Sequence, residues 1–127
     1  MMSTIRIAHI SDLHLSPTHG RVNIRNTKRL LEHINRLKVD HVVVTGDIAA
    51  NAEAGDFRLA RSLFQAHGLL DPQKLSLVVG NHDIYGGVHT PEAILDFPRR
   101  CRETDVNKKT RQFLEHFPEI FRNTIQI

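Results

Sequence analysis

The chain has 127 residues and a net charge of +3, and 40% of its residues are hydrophobic and 24% charged. These values are typical of one soluble globular domain. The apolar runs are too short to cross a membrane and the N-terminus lacks the apolar core of a signal peptide, so we expect no membrane contact and a cytoplasmic location. Cys101 is the only cysteine, which excludes an intrachain disulfide and a cysteine-based metal cluster.

The charge and the histidine content narrow the range of partners. A net charge of +3 mildly favours anionic partners but is too small to indicate duplex DNA, so nucleic acid stays open without being indicated. Nine histidines are many for a chain of this length. They are the first compositional sign of a site that binds a metal ion or transfers protons.

The first half of the chain alternates between short apolar segments and amphipathic ones. Residues 5–10 predict a first strand, and from about Asn26 the apolar residues recur at helical spacing, with Asn26 or Thr27 as the candidate cap of that helix. The β-branched run from His41 to Thr45 predicts a second strand that is buried.

The same alternation continues with a second helix and a third strand. Asp56 is the candidate cap at the start of this helix, and Gly68 is the residue expected to end it. A third strand is predicted over residues 75–79. The order β-α-β-α-β, with helices of suitable crossover length, predicts an α/β fold with a parallel sheet.

Beyond the third strand the pattern is less regular. A glycine-rich loop is expected first, then a short helix from Pro91 and another helix over residues 108–117. The polar stretch over residues 98–109 is expected to be exposed. Because no internal repeat or domain boundary is visible, we treat residues 1–127 as a single domain.

Each predicted strand ends in side chains that bind metals or move protons. These are Asp12 and His14 after the first strand, Asp47 after the second, and Asn81, His82 and Asp83 after the third. One aspartate alone would indicate only turn or capping chemistry. Since sites in open parallel sheets form outside the carboxyl ends of the strands, the three groups are expected to meet, which favours a metal site.

The side chains in these groups fit two divalent ions. Carboxylates, an imidazole and an amide oxygen suit manganese, iron or zinc. Asp47 has two oxygens that can bridge the ions, and Asn81 adds a neutral oxygen that leaves positive charge for an anionic phosphate ester. The glycines that precede Asp47 and Asn81 allow the sharp turns that direct these side chains.

Three segments, HISDLHL, VVVTGDIAAN and LVVGNHDIY, resemble the first three motifs of the calcineurin-like metallophosphoesterase superfamily. The resemblance covers about the first 90 residues. It implies a β-α-β-α-β parallel sheet that forms about half of a four-layer α/β/β/α sandwich. It also implies a binuclear centre in which Asp12, His14 and Asp47 bind the first ion, and Asp47 and Asn81 bind the second. His82 would then lie near the leaving-group oxygen, with Asp83 holding its ring.

The chain departs from the family pattern after the third motif. The superfamily adds a further histidine ligand and a Gly-His-x-His motif, and neither has a counterpart here. His89 lies in the same loop as the third motif, and His116 lies in a predicted helix. We therefore expect an incomplete domain, whose missing ligands come from a carboxyl-terminal half or a partner subunit.

Two functions follow from this pattern. The first is metal-dependent hydrolysis of phosphate monoesters or diesters, with Asn51 and His89 as candidate substrate contacts. The alternative is a non-catalytic scaffold or partner-dependent half-domain with residual metal binding. A dinucleotide-binding domain is disfavoured, because no G-x-G-x-x-G follows the first strand. With one sheet face expected to be uncovered and apolar, the chain by itself is expected to be weakly active and prone to associate.

Overall fold

A three-stranded parallel sheet lies at the centre of the chain in a computed structural model, which describes residues 3–121. The strands are β1 (Ile7–Ile10), β2 (His41–Thr45) and β3 (Leu75–Val78). The helices are α1 (Arg21–Leu37), α2 (Ala54–Ala66), α3 (Asn81–Tyr85), α4 (Pro91–Glu103), α5 (Val106–His116) and α6 (Pro118–Phe121). The predicted β-α-β-α-β order is confirmed, and the fold is mixed α/β with a parallel sheet.

The register of the sheet brings the carboxyl ends of all three strands to one edge. The strand order is β1-β2-β3, and both neighbouring pairs are parallel. Ile10 is paired with Val44, which in turn is paired with Leu77. The segments that follow the three strands therefore leave the sheet side by side.

One face of the sheet carries the hydrophobic core. Val42 and Val44 of β2 and Leu75 and Leu77 of β3 are buried, as the two-residue period of a half-buried strand requires. They belong to one apolar cluster with side chains from the helices, among them Leu31, Ile34, Phe57, Ala60, Phe64 and Phe113. Burial of this cluster is the main favourable contribution to folding.

The opposite face of the sheet is open among the described residues, but it is less apolar than expected. Ile7 and Val78 are 61% and 51% exposed. Between them lie two polar pairs, His9 Nε2 with Thr45 Oγ1 at 2.6 Å and His41 Nε2 with Ser76 Oγ at 2.7 Å. Histidine, threonine and serine share the outward positions of the strands with Ile7, Val43 and Val78, so the face that was expected to be apolar is apolar only in part.

The start of α1 differs from the prediction. The helix begins at Arg21, after Gly20 at φ 107°, and its first backbone bond runs from the Ile24 N–H to the Gly20 carbonyl. Thr27 is buried inside the helix and caps nothing. The first turn contains Ile24, which packs against the core, but the polar residue Thr27 interrupts the apolar period between Ile24 and Leu31.

The start of α2 also differs. The helix begins at Ala54, so Asp56 lies inside the first turn and not at the cap. Its buried carboxylate still accepts hydrogen bonds from backbone N–H groups, those of Asn51 at 2.9 Å and Glu53 at 3.4 Å. Gly68 follows the end of the helix with φ +71°, in agreement with its predicted role.

The region after β3 is more helical than expected. The residues predicted as a glycine-rich loop begin with the short helix α3. Residues 98–109 lie mostly in α4 and α5, whose amino termini are capped by the side chains of Thr90 and Asp105. Pro98 lies inside α4, a helix with no buried residue. The polar composition correctly indicated exposure but not the absence of regular structure.

Phe57 is expected to be the most sensitive core position of α2. Its ring is fully buried and meets the ring of Phe113 edge to face at a centroid distance of 5.7 Å. Phe57→Ala should lower the free energy of unfolding by about 3–5 kcal/mol in denaturant titrations. Leu95→Ala is the control, since Leu95 is 85% exposed and the change should stay within about 0.5 kcal/mol. Similar losses for both variants would contradict the packing described here.

Asp56 should give stability a distinctive dependence on pH. Burial raises its pKa above the ordinary value of 3.8, so the folded state favours the protonated carboxyl. The stability of the wild type relative to Asp56→Asn should be highest below pH 3.8 and fall as pH rises through the folded pKa.

A matched control for Asp56 has the opposite sign. The hydrogen bond from Arg99 lowers the pKa of exposed Asp96. The stability of the wild type relative to Asp96→Asn should therefore be present above pH 3.8 and be lost as pH falls through the folded pKa. Denaturant unfolding at several pH values measures both stability differences. If the two differences changed with pH in the same direction, the pKa directions given for Asp56 and Asp96 would be wrong.

Candidate metal centre

Backbone hydrogen bonds join the segments that follow β1 and β2. The Asp12 N–H donates to the Gly46 carbonyl at 3.1 Å, and the His14 N–H donates to the Asp47 carbonyl at 3.0 Å. The pairing continues with the Leu15 N–H, which donates to the Ile48 carbonyl at 2.8 Å. The parallel alignment of the strands thus extends into the loops, which fixes Asp12 and His14 beside Asp47.

The candidate ligands on these two loops have an uncommon backbone conformation. Asp12, His14 and Asp47 have φ values of 59°, 46° and 54°, in the left-handed region. Residues with a Cβ atom adopt it at a cost of about 1–2 kcal/mol each. Such strain persists where surrounding bonds impose it, and it is concentrated at functional sites. Here the bonds between the loops impose it on three residues that can bind metal.

Gly80 lets the end of β3 pass directly against Asp47. A Cβ atom on Gly80 would overlap both the backbone nitrogen and the Oδ1 atom of Asp47, and would lie 2.9 Å from the Gly46 Cα atom. The next turn of chain then donates the His82 N–H to Asp47 Oδ1 at 2.9 Å. Position 80 requires glycine because there is no room for a Cβ atom, and this lets the second and third motifs come into contact.

Asp12, His14 and Asp47 form a group that can hold a metal ion. Their ligand atoms all lie within 4.8 Å of one another, and the His14 Nε2 atom is 3.5 Å from Asp12 Oδ1. The hydrogen bond from Ser11 Oγ, at 2.6 Å, is the main reason that the pKa of Asp12 is lowered, with His14 adding to it. Two carboxylates and an imidazole without thiolate suit manganese, iron or zinc.

Asn81 adds a fourth donor next to Asp47. One terminal atom of its amide lies 3.0 and 3.2 Å from the two Asp47 oxygens. If that atom is nitrogen, it donates to the carboxylate; if it is oxygen, a cation is needed to hold the oxygens together. The orientation that satisfies both groups has the amide nitrogen donating to the Asp47 carboxylate, so Asn81 lies beside Asp47 while its role as a metal ligand stays a prediction.

His82 is held at the edge of this group. Its ring meets the His14 ring edge to face, with centroids 4.6 Å apart and an interplanar angle of 80°. The His82 Nδ1 atom lies 3.4 Å from the Ala50 carbonyl oxygen. The ring is half-buried and lines a cavity of about 310 Å³ together with His14, His19, Asn23, Ala50 and His89.

Asp83 does not hold the His82 ring, contrary to the expectation from the resemblance. Its Oδ1 atom accepts the Ala49 N–H at 2.8 Å, and its Oδ2 atom accepts the Gly80 N–H at 2.9 Å. Both oxygens are thus used by the backbone, because the first turn of α3 directs the side chain back toward Gly80. Burial raises the pKa of Asp83. Its two hydrogen bonds join the loops of the second and third motifs.

His89 and Asn51, the candidate substrate contacts, are in contact with each other. The His89 Nε2 atom forms a hydrogen bond with Asn51 Oδ1. The His89 ring also stacks on that of His19, with centroids 5.2 Å apart. No motif predicted a role for His19, and the high histidine content was its only signal. His116 lies elsewhere, in α5 as predicted, with its ring against that of Phe57.

The comparisons with known proteins agree with this fold. The calcineurin-like phosphoesterase family matches residues 5–124, and the chain belongs to that family. A Danio rerio protein described as a transmembrane protein with metallophosphoesterase domain is 34% identical over 85 residues. The match covers 66% of this chain but only 18% of that protein. Family membership confirms the resemblance seen in the three motifs.

The relative's description concerns a longer, membrane-bound protein. Among residues 3–121 of this chain, no helix has the length and apolar character needed to cross a bilayer. The cytoplasmic location, the extent of the domain and the individual roles of the site residues stay predictions.

Gly80→Ala should distort the candidate metal centre by a steric clash. The added methyl group must displace Asp47, which should lower the free energy of unfolding by about 1–3 kcal/mol and weaken Mn²⁺ binding in calorimetric titrations. Gly55→Ala is the matched control, because its Cβ atom would lie 3.5 Å from Pro17, an ordinary contact, within α2. A Gly80→Ala variant with unchanged Mn²⁺ affinity would contradict the close approach.

Proposed function

We propose that this chain carries the amino-terminal metal ligands of a phosphoesterase that hydrolyses phosphate monoesters or diesters with two divalent ions. The observation that carries the proposal is the meeting of Asp12, His14 and Asp47 within 4.8 Å at the carboxyl edge of a parallel sheet. Membership of the calcineurin-like phosphoesterase family supports phosphoester hydrolysis as the reaction class.

The side chains that would bind the ions determine the net charge of the loaded site. Asp12, His14 and Asp47 would hold the first ion, and Asp47 and Asn81 would hold the second. Divalent manganese, iron or zinc ions supply Lewis acidity toward a phosphoryl oxygen and lower the pKa of water. The two carboxylates offset only part of the charge of two such ions, and His14 and Asn81 are neutral donors. The loaded site would therefore attract a phosphate ester.

His82 would serve as the proton donor in this proposal. With its Nδ1 atom beside the Ala50 carbonyl, the Nε2 atom is the one left to act on a leaving-group oxygen in the cavity. Asp83 contributes by holding the backbone of Ala49 and Gly80, which keeps the loops on either side of Asp47 in place. It therefore acts on the site through the position of the loops.

The proposal includes the need for further ligands. Asn81 and the shared Asp47 are few protein donors for a second ion, so a carboxyl-terminal part or a partner subunit would complete the centre. This chain alone would then bind at most one ion weakly, in the cytoplasm by our expectation. The alternative, a scaffold or partner-dependent half-domain, is favoured by one observation, the open face of the sheet.

Two alanine variants separate metal binding from proton transfer. In an active, metal-loaded form of the protein, Asp47→Ala should remove most bound metal, since Asp47 would contact both ions. His82→Ala should keep its metal while turnover of p-nitrophenyl phosphate or its diester falls by about 10²–10⁴-fold. Elemental analysis and initial rates measure the two effects.

The control for these variants is His33→Ala, because His33 is exposed on α1. It should change neither the metal content nor the rate. Equal loss of metal from Asp47→Ala and His82→Ala would show that the roles are wrongly assigned. Full metal content without turnover of any phosphate ester would favour the scaffold alternative.

A further inference from the structure

A second cavity adjoins the one at the candidate metal centre. It has a volume of about 440 Å³, and it shares His19 and His89 with the smaller cavity that His14 and His82 line. A substrate with its ester group at the metal ligands can therefore extend past the two stacked histidine rings. The far wall of the second cavity includes Arg100 from α4 and Lys109 from α5.

Both cations are anchored by loop carbonyls next to the site. Arg100 Nη1 donates to the Gly87 carbonyl at 2.7 Å, and Lys109 Nζ donates to the Ala52 carbonyl at 3.2 Å. The Arg100 guanidinium also lies over the ring of Phe97, at 5.6 Å from its centroid. These contacts use only part of the donor capacity of each group, because guanidinium has five N–H donors and ammonium three.

The rest of the cavity wall is also suited to a polar ligand. Asn51 and Tyr85 add neutral hydrogen-bonding groups, and among residues 3–121 Glu53 is the one acidic residue that lines the cavity. The loop that carries His19 is fixed by buried Ser16, whose Oγ atom accepts the N–H groups of Thr18 and His19 at 3.2 and 3.1 Å. The wall shared with the metal-site cavity is thus held in place before any ligand enters.

We propose that this second cavity binds a second phosphate group of the substrate, so that the preferred substrates carry two phosphate groups. The inference rests on the proposed phosphoesterase function for the group bound at the metal ligands. Two half-buried permanent cations match a phosphate dianion better than a carboxylate, which carries a single charge. Glu53, which lines the cavity, is exposed, and Asp96, which also attracts Arg100, lies outside the lining and is hydrogen-bonded to Arg99.

Binding measurements on the full chain can test this without turnover. The probes are alkanediol bisphosphates of several lengths, the monophosphates of the same diols, and phosphoalkanoic acids in which a carboxylate replaces one phosphate. Isothermal titration calorimetry is done with Mn²⁺ and with a chelator. For at least one length, the bisphosphate should bind about tenfold or more tightly than its monophosphate, since each charged hydrogen bond contributes this order of affinity.

Variants locate that advantage within the chain. Arg100→Gln and Lys109→Gln should each reduce it, and the double variant should remove it, while monophosphate affinity changes less than about twofold. Lys108→Gln and Arg102→Gln are matched controls, because both residues are exposed neighbours that line neither cavity. Arg100→Lys should keep part of the advantage. The comparison of probes on the wild type needs no variant to fold.

Several results would overturn the proposal. These are equal affinity for bisphosphates and monophosphates, equal affinity for phosphoalkanoic acids and bisphosphates, or an equal loss in the Lys108→Gln control. The binding of Mn²⁺ is measured separately from the preference for bisphosphates. A bisphosphate advantage that persists while Mn²⁺ fails to bind supports the second phosphate site and counts against the proposed function. Mn²⁺ binding without that advantage counts against the second site alone.

Discussion

The close passage of the Gly80 backbone against Asp47 is the contact on which the rest of the site depends. It joins the ends of β2 and β3 with no side chain between them, so the His82 N–H reaches Asp47 and the Asn81 amide lies beside the same carboxylate. Parallel strands supply the approximate alignment. Without this contact, the side chains of the second and third motifs would be neighbours, but they would lie too far apart to bind the same metal ion.

The site contains residues in unfavourable backbone conformations and a buried carboxylate, and hydrogen bonds between the loops hold these residues in position. Three candidate ligands have left-handed backbones, and the carboxylate of Asp83 is buried beneath them. Burial of a carboxylate is costly unless its oxygens are paired. Both Asp83 oxygens accept backbone N–H groups from different loops, so the buried charge ties those loops together. The stability of the loops and the geometry of the ligands therefore depend on the same few bonds.

The sequence predicted features that follow a period or a strand end, and missed those that depend on long-range contacts. The strand His41–Thr45 was predicted with its exact bounds, because a β-branched run between polar residues has one simple interpretation. The first turn of α1 was missed because the polar residue Thr27 interrupts the apolar period after Ile24, and the backbone partners of Asp83 were not foreseen because short helix α3 was taken as loop. No local pattern reveals that His19 stacks on His89.

The polar pairs on the open sheet face have a consequence for how the strands find their alignment. His9 reaches from β1 to Thr45 on β2, and His41 reaches from β2 to Ser76 on β3. A slip of one strand by one residue would turn the polar groups of that strand toward the apolar core and separate them from their partners on the neighbouring strand. The open face therefore discriminates against misaligned sheets during folding, and it does so at the two strand boundaries whose alignment the metal ligands require.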